Sequence, residues 1–155
     1  MRDNKILEVT NCDLALIGAN LIDAKGMYIV PGFVCMHAHG GGGHDFTECT
    51  EEAFRTAVKA HQRHGATSIF PTLSSSPFSE IRKAVSICEK LMKEKDSPVL
   101  GLHVEGPYLN PKMAGGQFAG KVKNPDILHC WMKQIVSSAG IHLLSCRVLW
   151  NLPAT

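Results

Sequence analysis

The sequence lacks a CxxC pair, a run of eighteen apolar residues and an apolar stretch behind Met1. The lack of paired thiols argues against a zinc ribbon. The irregular spacing of Cys12, Cys35, Cys49, Cys88, Cys130 and Cys146 argues equally against a secreted disulfide framework. These read as reduced thiols of a cytoplasmic protein. Arg2, Asp3, Asn4 and Lys5 stand where an export signal needs apolar residues, and no segment is long enough to span a bilayer. Strong charge of either sign is missing too. The net charge is +2 and Lys and Arg are scattered, so neither nucleic acid nor a membrane surface is expected as a partner. A small neutral or anionic molecule is. The last absence is local: all fourteen acidic residues lie at or before Asp126, and the stretch from Ile127 to Thr155, which holds both tryptophans, has none. Such a shift marks a domain boundary or a changed reading frame.

What is present, in 155 residues that are 45% hydrophobic, is the composition of a globular domain able to bury a core. Over the first thirty residues short apolar clusters (Ile6-Leu7, Leu14 to Ile17, Leu21-Ile22, Met27 to Val30) alternate with Asp, Asn and Gly. That pattern predicts short antiparallel strands with tight turns. From Pro31 the rhythm becomes strand, loop, helix, repeated. Val30 to Met36 reads as a strand buried on both faces, followed by a flexible glycine loop, Gly40 to Gly43. Thr50 reads as the N-cap of a helix with Glu51 and Glu52 in its first turn and Gly65 as its stop. Ala53, Phe54, Ala57, Val58 and His61 share its packed face. A second strand is predicted from Ala66 to Leu73. Ser76 then caps a helix with Pro77 in first position and a buried stripe of Ile81, Ala84, Val85, Cys88, Leu91 and Met92. A third strand is predicted over Val99 to Val104. Three βα steps in a row imply an α/β fold with a parallel sheet, of which the (β/α)₈ barrel is one of the commonest forms.

Chemistry-bearing residues gather at the strand ends. His37 and His39 stand two apart, so both imidazoles project to one face and can reach one metal ion; two surface histidines side by side are the plain alternative. Glu105 ends the third strand, where a carboxylate out of water calls for a cation, or else is simply solvated at a strand-loop junction. His103 lies one layer deeper, as a hydrogen-bonded core histidine or a donor behind the site. Gly40 to Gly43 lacks the GxxxxGK[ST] form of a phosphate loop, and His44, His61 and His64 are given no role.

"IVPGFVCMHAHGGGG" resembles the first barrel strand of the amidohydrolase superfamily. "GATSIFPTLSSSP" and "GLHVEGPYLNP" narrow the likeness to the N-acetylglucosamine-6-phosphate deacetylases, whose "DGKI" turn "RDNKILEV" also resembles. The similarity runs from about Lys5 to about Pro125. It implies residues 1–30 as part of a small β-sandwich domain, 31–126 as the first three βα units of an incomplete barrel, and 127–155 as a divergent tail from a shifted frame or misjoined gene. It further implies His37, His39 and Glu105 as metal ligands, Gln117 as a sugar contact where many members have histidine, and zinc or iron as the ion, two per intact enzyme. The implied reaction is hydrolysis of N-acetylglucosamine 6-phosphate to acetate and glucosamine 6-phosphate, with water acidified by the cation attacking the acetyl carbonyl. Members carry two further histidines and an aspartate acid-base. His129, His142 and Asp126 do not match those positions, so the catalytic group is unassigned and the chain alone is expected to be inactive, poorly soluble or only partly folded. A non-catalytic product and a dihydroorotase-like or hydantoinase-like cyclic amidase are the alternatives; the latter share the HxH but not "HVEGPYLNP". Relatives imply a cytoplasmic homodimer.

Overall fold

The computed structural model of the chain describes residues 5–12, 17–124 and 144–145. The chain divides into two compact units, Met1–Pro31 and Gly32–Thr155. The expectations that fall on residues 127–155, including His129, His142, Cys130 and Cys146, lie outside the described residues apart from the two at 144–145, as does Asp126.

Among the described residues of the first unit a predicted turn forms, at Asp23–Gly26, but no strand does. Asp23 Oδ1 accepts from the Lys25 N–H at 2.8 Å, and Lys25 and Gly26 take left-handed φ values of 49° and 78°. The described residues around this turn show no strand, only a single bridge at Lys5. The reason is burial: Val9, Ile17, Leu21 and Tyr28 are 89% or more exposed, and short strands without an opposing layer are not held in place.

The second unit is built on a parallel sheet. Strand β1 (Phe33–Ala38) leads into a tight hairpin of β2 (Gly40–Gly41) and β3 (His44–Asp45), followed by helix α1 (Glu51–Arg63), strand β4 (Ala66–Leu73) and helix α2 (Phe78–Met92). Strand β5 (His103–Val104) and the two residues of β6 (Leu144–Ser145) complete a sheet in the order β1-β4-β5-β6, all neighbours parallel. Each helix is the crossover between adjacent strands, as parallel pairing demands. This is the α/β architecture the alternating pattern predicts.

Local signals explain the helices. Thr50 Oγ1 accepts from the Ala53 N–H at 3.2 Å, as a capping threonine should, and Gly65, with φ +91°, ends α1. Ala53, Phe54, Ala57 and Val58 are the buried face. The start of α2 differs from expectation by one residue. Pro77 is the cap and its side chain accepts no capping bond, while Ser76 Oγ is buried without a partner among the described residues. Ile81, Ala84, Val85, Cys88 and Leu91 are buried as the stripe predicts. Phe46 and Phe54 pack edge to face with centroids 4.9 Å apart beneath them.

Three strand-level expectations are corrected. The strand placed at Val30–Met36 runs from Phe33 to Ala38, and it is not buried on both faces: Phe33, Val34 and Met36 are 65%, 60% and 54% exposed. Among the described residues it stands at the edge of the sheet, with β4 as its one strand neighbour. The glycine loop is not open but paired, Gly40 with Asp45 and Gly41 with His44, around Gly42 and Gly43 at φ +62° and +88°. Two successive positive φ values are those of a two-residue hairpin turn whose twist suits the strands. A Cβ on Gly40 would lie 2.1 Å from the His44 carbonyl oxygen.

The third predicted strand shrinks to His103–Val104 plus a lone bridge between Ile69 and Val99. Pro71 is the cause. Ile69 bonds Pro98 O and Leu100 N, and Leu73 O accepts from Glu105 N, so residues 69, 71 and 73 turn their backbone groups toward β5. At the middle one proline has no N–H to give, and the ladder breaks there. On the other side of β4 the register to β1 shifts between Cys35/Ile69 and Ala38/Pro71, which puts one extra β1 residue in the interval holding His37. Irregularities of this kind re-aim side chains at sheet ends.

Candidate metal centre

The C-terminal ends of β1 and β5 flank that of β4, and each brings polar side chains to one point. His37 lies within β1 and His39 just beyond it; Glu105 follows β5 directly. The two Nε2 atoms are 3.0 Å apart, and Glu105 Oε2 lies 3.4 Å from that of His37 and 3.2 Å from that of His39. All three atoms thus form a nearly equilateral triangle. A tetrahedral ion bound at about 2.0–2.1 Å by nitrogen and oxygen has ligand-ligand edges of about 3.3 Å. The residues present therefore fit such an ion.

Their chemistry fits as well. Glu105 Oε2 is buried and, although within ion-pair distance of both imidazoles, makes no aligned hydrogen bond to either. A buried carboxylate oxygen without a donor is costly. A proton on either imidazole serves one edge of the triangle, whereas a cation at its middle satisfies all three atoms at once. Among the described residues this is the one group of three or more His, Cys, Asp or Glu side chains close enough to hold an ion.

Neighbouring residues fix the rings. The Ser74 hydroxyl lies 2.9 Å from His39 Nδ1, the ring nitrogen turned away from the triangle. His37 packs edge to face against His39 and His103, with centroids 5.0 and 4.9 Å away. His103 is buried, and its Nδ1 meets the Thr72 hydroxyl at 3.1 Å. Burial first, and the nearby His37 second, holds its imidazole below the ordinary histidine range. That agrees with the core-histidine reading. Thr72 Oγ1 also accepts from the Ala38 N–H at 3.0 Å, tying β1 to β4 next to the histidines.

Gln117 is brought to the same end of the sheet by another route. Its Oε1 accepts from the Ser75 N–H at 2.8 Å, and the Ser75 hydroxyl lies 3.4 Å from the Glu105 carbonyl oxygen. With the side-chain carbonyl committed to backbone, Gln117 retains its amide N–H groups for other partners. Gly106 makes the turn after Glu105 possible: its φ is +94°, and a Cβ there would lie 2.2 Å from Ser75 Oγ. His44, His61 and His64 stay outside the site. His44 pairs with Glu48 at 3.0 Å, half-buried His61 donates to the Gly40 carbonyl at 3.0 Å, and His64 is exposed. Ser74 was not singled out in the sequence, because a serine after a strand looks like any loop residue and its partner is 35 positions away.

Similarity to known proteins points the same way. An N-acetylglucosamine-6-phosphate deacetylase of Lysinibacillus sphaericus is 28% identical over 82% of this chain and 33% of its own length. The enzyme of that name from Homo sapiens is 36% identical over 60% of this chain and 24% of its own. The crystal structure of N-acetyl-D-glucosamine-6-phosphate deacetylase from Mycobacterium smegmatis superimposes with a TM-score of 0.61 at 31% identity, over 72% of this chain and 28% of that one. The chain spans a third or less of the length of these relatives. The match to the amidohydrolase family runs over residues 28–141, so the likeness continues past Pro125, where the sequence motifs end. That match takes in β1, β4, β5 and all three converging side chains, and on it the chain belongs to the amidohydrolase family.

Proposed function

We propose that this chain carries part of the metal site of an N-acetylglucosamine-6-phosphate deacetylase, which converts its substrate to acetate and glucosamine 6-phosphate. The observation that carries the reading is the triangle of His37 Nε2, His39 Nε2 and Glu105 Oε2, set on "MHAH" and "HVEGPYLNP" segments. A divalent ion bound there, zinc or iron, would polarise an amide carbonyl and make a water more acidic. His37 and His39 would hold it through Nε2 and Glu105 through Oε2, with two ions in the intact enzyme. Gln117 offers amide N–H groups to an oxygen of the sugar. The parallel sheet is the opening of a (β/α)₈ barrel, since adjacent strands follow chain order and the site lies at their C-terminal ends. Residues 1–30 belong in this proposal to a small β-sandwich domain. The irregular cysteine spacing of the sequence supports a cytoplasmic location, and the family likeness a homodimer. No helix among the described residues is long and apolar enough to cross a membrane.

A second reading, binding without turnover, rests on one observation. The cluster's single carboxylate is Glu105, which is committed to the ion, so among the described residues no second carboxylate in that cluster is left to carry the proton to the leaving nitrogen. The two readings share the metal and differ in catalysis. Zinc content and acetate release from N-acetylglucosamine 6-phosphate, measured on the chain and on His37→Ala, test both. Bound zinc with release supports the deacetylase; bound zinc without release supports binding alone. Equal zinc in both proteins overturns the site.

A further inference from the structure

Strand β4 lies between the two strands that supply the triangle and contributes no member of it. We propose that Ser74, at its end, is a positioning residue: its hydroxyl oxygen accepts the Nδ1–H of His39 and so keeps His39 Nε2 bare toward the ion. The inference rests on the metal reading of His37, His39 and Glu105.

Two proton arrangements satisfy the 2.9 Å contact between Ser74 Oγ and His39 Nδ1. In one, the hydroxyl donates to Nδ1, which places the proton of the neutral ring on Nε2, aimed into the triangle. In the other, Nδ1–H donates to the hydroxyl oxygen and Nε2 keeps its lone pair. In the first, Nε2–H points at His37 Nε2, 3.0 Å away, or at Glu105 Oε2, 3.2 Å away, and leaves His39 no lone pair for an ion. An ion within the triangle therefore requires the second arrangement. In the zinc-free protein the same arrangement lets His37 donate to the bare nitrogen of His39.

The remaining contacts show why this ring needs a hydrogen bond. His37 is located by the rings of His39 and His103 on either side. His39 has one ring neighbour in that set, His37, and the Ser74 hydroxyl meets its other ring nitrogen. The placement of Ser74 follows from Thr72, two residues earlier, whose hydroxyl clasps the Ala38 N–H at 3.0 Å and fixes the alignment of β1 on β4. A histidine ligand generally has its second ring nitrogen bonded in this way, and losing that partner weakens metal binding about 10-fold to 100-fold.

The test uses the full chain, zinc alone as probe and a competing chromophoric chelator at neutral pH. Ser74→Ala should bind zinc about 10-fold to 100-fold more weakly, and Ser74→Thr, which keeps the hydroxyl, should recover most of the affinity. Nitrogen-15 spectra of the zinc-free protein, with His39 assigned through His39→Gln, should show His39 protonated at Nδ1. Ser74→Ala should give a mixture of both tautomers. Unchanged affinity in Ser74→Ala, or a wild-type His39 protonated at Nε2, overturns the proposal. If Ser74→Ala does not fold, the wild-type spectrum and Ser74→Thr still decide. Failure of the metal reading looks different: wild type and His37→Ala then bind zinc equally or not at all, while the tautomer spectrum continues to report on Ser74.

Discussion

Two of the clusters of ionisable groups among the described residues are built on opposite terms. On the outer face of the helices Arg55 donates to Glu51 at 2.8 Å and to both carboxylate oxygens of Glu94, and Lys90 donates to Glu51 at 2.6 Å. Donors and acceptors there answer one another, and water reaches all four side chains. At the strand ends His37 Nε2, His39 Nε2 and Glu105 Oε2 face one another, with Glu105 Oε2 buried and without a hydrogen bond. A self-satisfied cluster on the surface needs nothing further and contributes little. A cluster left short of positive charge is where a ligand changes the energy most.

The contrast should break hardest under zinc. At a concentration about 100 times its Kd, zinc should add about 2.7 kcal/mol of stability and raise Tm by roughly 5–10 °C in the wild-type chain. Glu105→Gln, which keeps the shape and removes the charge, should lose at least about 100-fold in zinc affinity and most of that shift. Calorimetry with and without zinc checks both, and a Glu105→Gln protein stabilised as much as wild type would erase the distinction between the clusters. Salt of high concentration should leave the zinc shift of the wild type largely in place.

Next in size is Gly106→Ala. Its left-handed φ and the nearby Ser75 hydroxyl leave no room for a methyl, so stability should fall by about 1–2 kcal/mol. Because Glu105 is its neighbour, zinc affinity should fall with it, which a purely structural glycine would not cause. Denaturant unfolding and a zinc titration on the one variant separate the two effects.

A smaller effect comes from the core under both clusters. Burial pushes the Cys88 thiol up to about 12 from its ordinary 9.0. The folded thiol stays protonated while the unfolded one ionises, so this contribution is intact below about pH 9 and is lost as pH rises above it. The loss should reach about 1 kcal/mol one pH unit higher, and Cys88→Ala should flatten that alkaline slope. Unfolding curves across that range decide it.

The smallest effect belongs to the outer cluster. Arg55→Ala should lower Tm by no more than about 2 °C, and added salt should remove the difference. The Lys90 contact first, and Arg55 next, holds the Glu51 carboxyl below its ordinary 4.5, and Arg55 does the same for Glu94. Their contribution is therefore present above about pH 4.5 and is lost as pH falls through the lowered values. A Tm difference that persists in high salt would place this cluster nearer to the first than the geometry allows.

How far the sequence reaches can be judged element by element. Helix α1 and strand β4 are legible because their causes are local: a capping threonine, a stripe at helical spacing, a stop at Gly65, a run of strand formers. Strand β5 is not, because its interruption is caused by Pro71 on a different strand. The described part of the first thirty residues shows the limit from the other side, since the turn at Asp23–Gly26 is local and forms, while strands need partners that the pattern cannot supply. The HxH spacing and the glutamate at a strand end name the three candidate ligands. The serine behind one of them is invisible, since nothing local distinguishes it from Ser75 and Ser76.

What the residues by themselves determined, then, is the two helices, the strand between them and which side chains are able to bind a cation. What only tertiary structure decided is that three such atoms meet within 3.4 Å, that Glu105 Oε2 is left without a donor, and that Ser74 stands behind His39. The physical reason is range. Backbone preference and capping act across a few residues, whereas convergence depends on how β1, β4 and β5 are aligned across more than sixty, and one missing N–H or one extra residue in a strand is enough to shift that alignment.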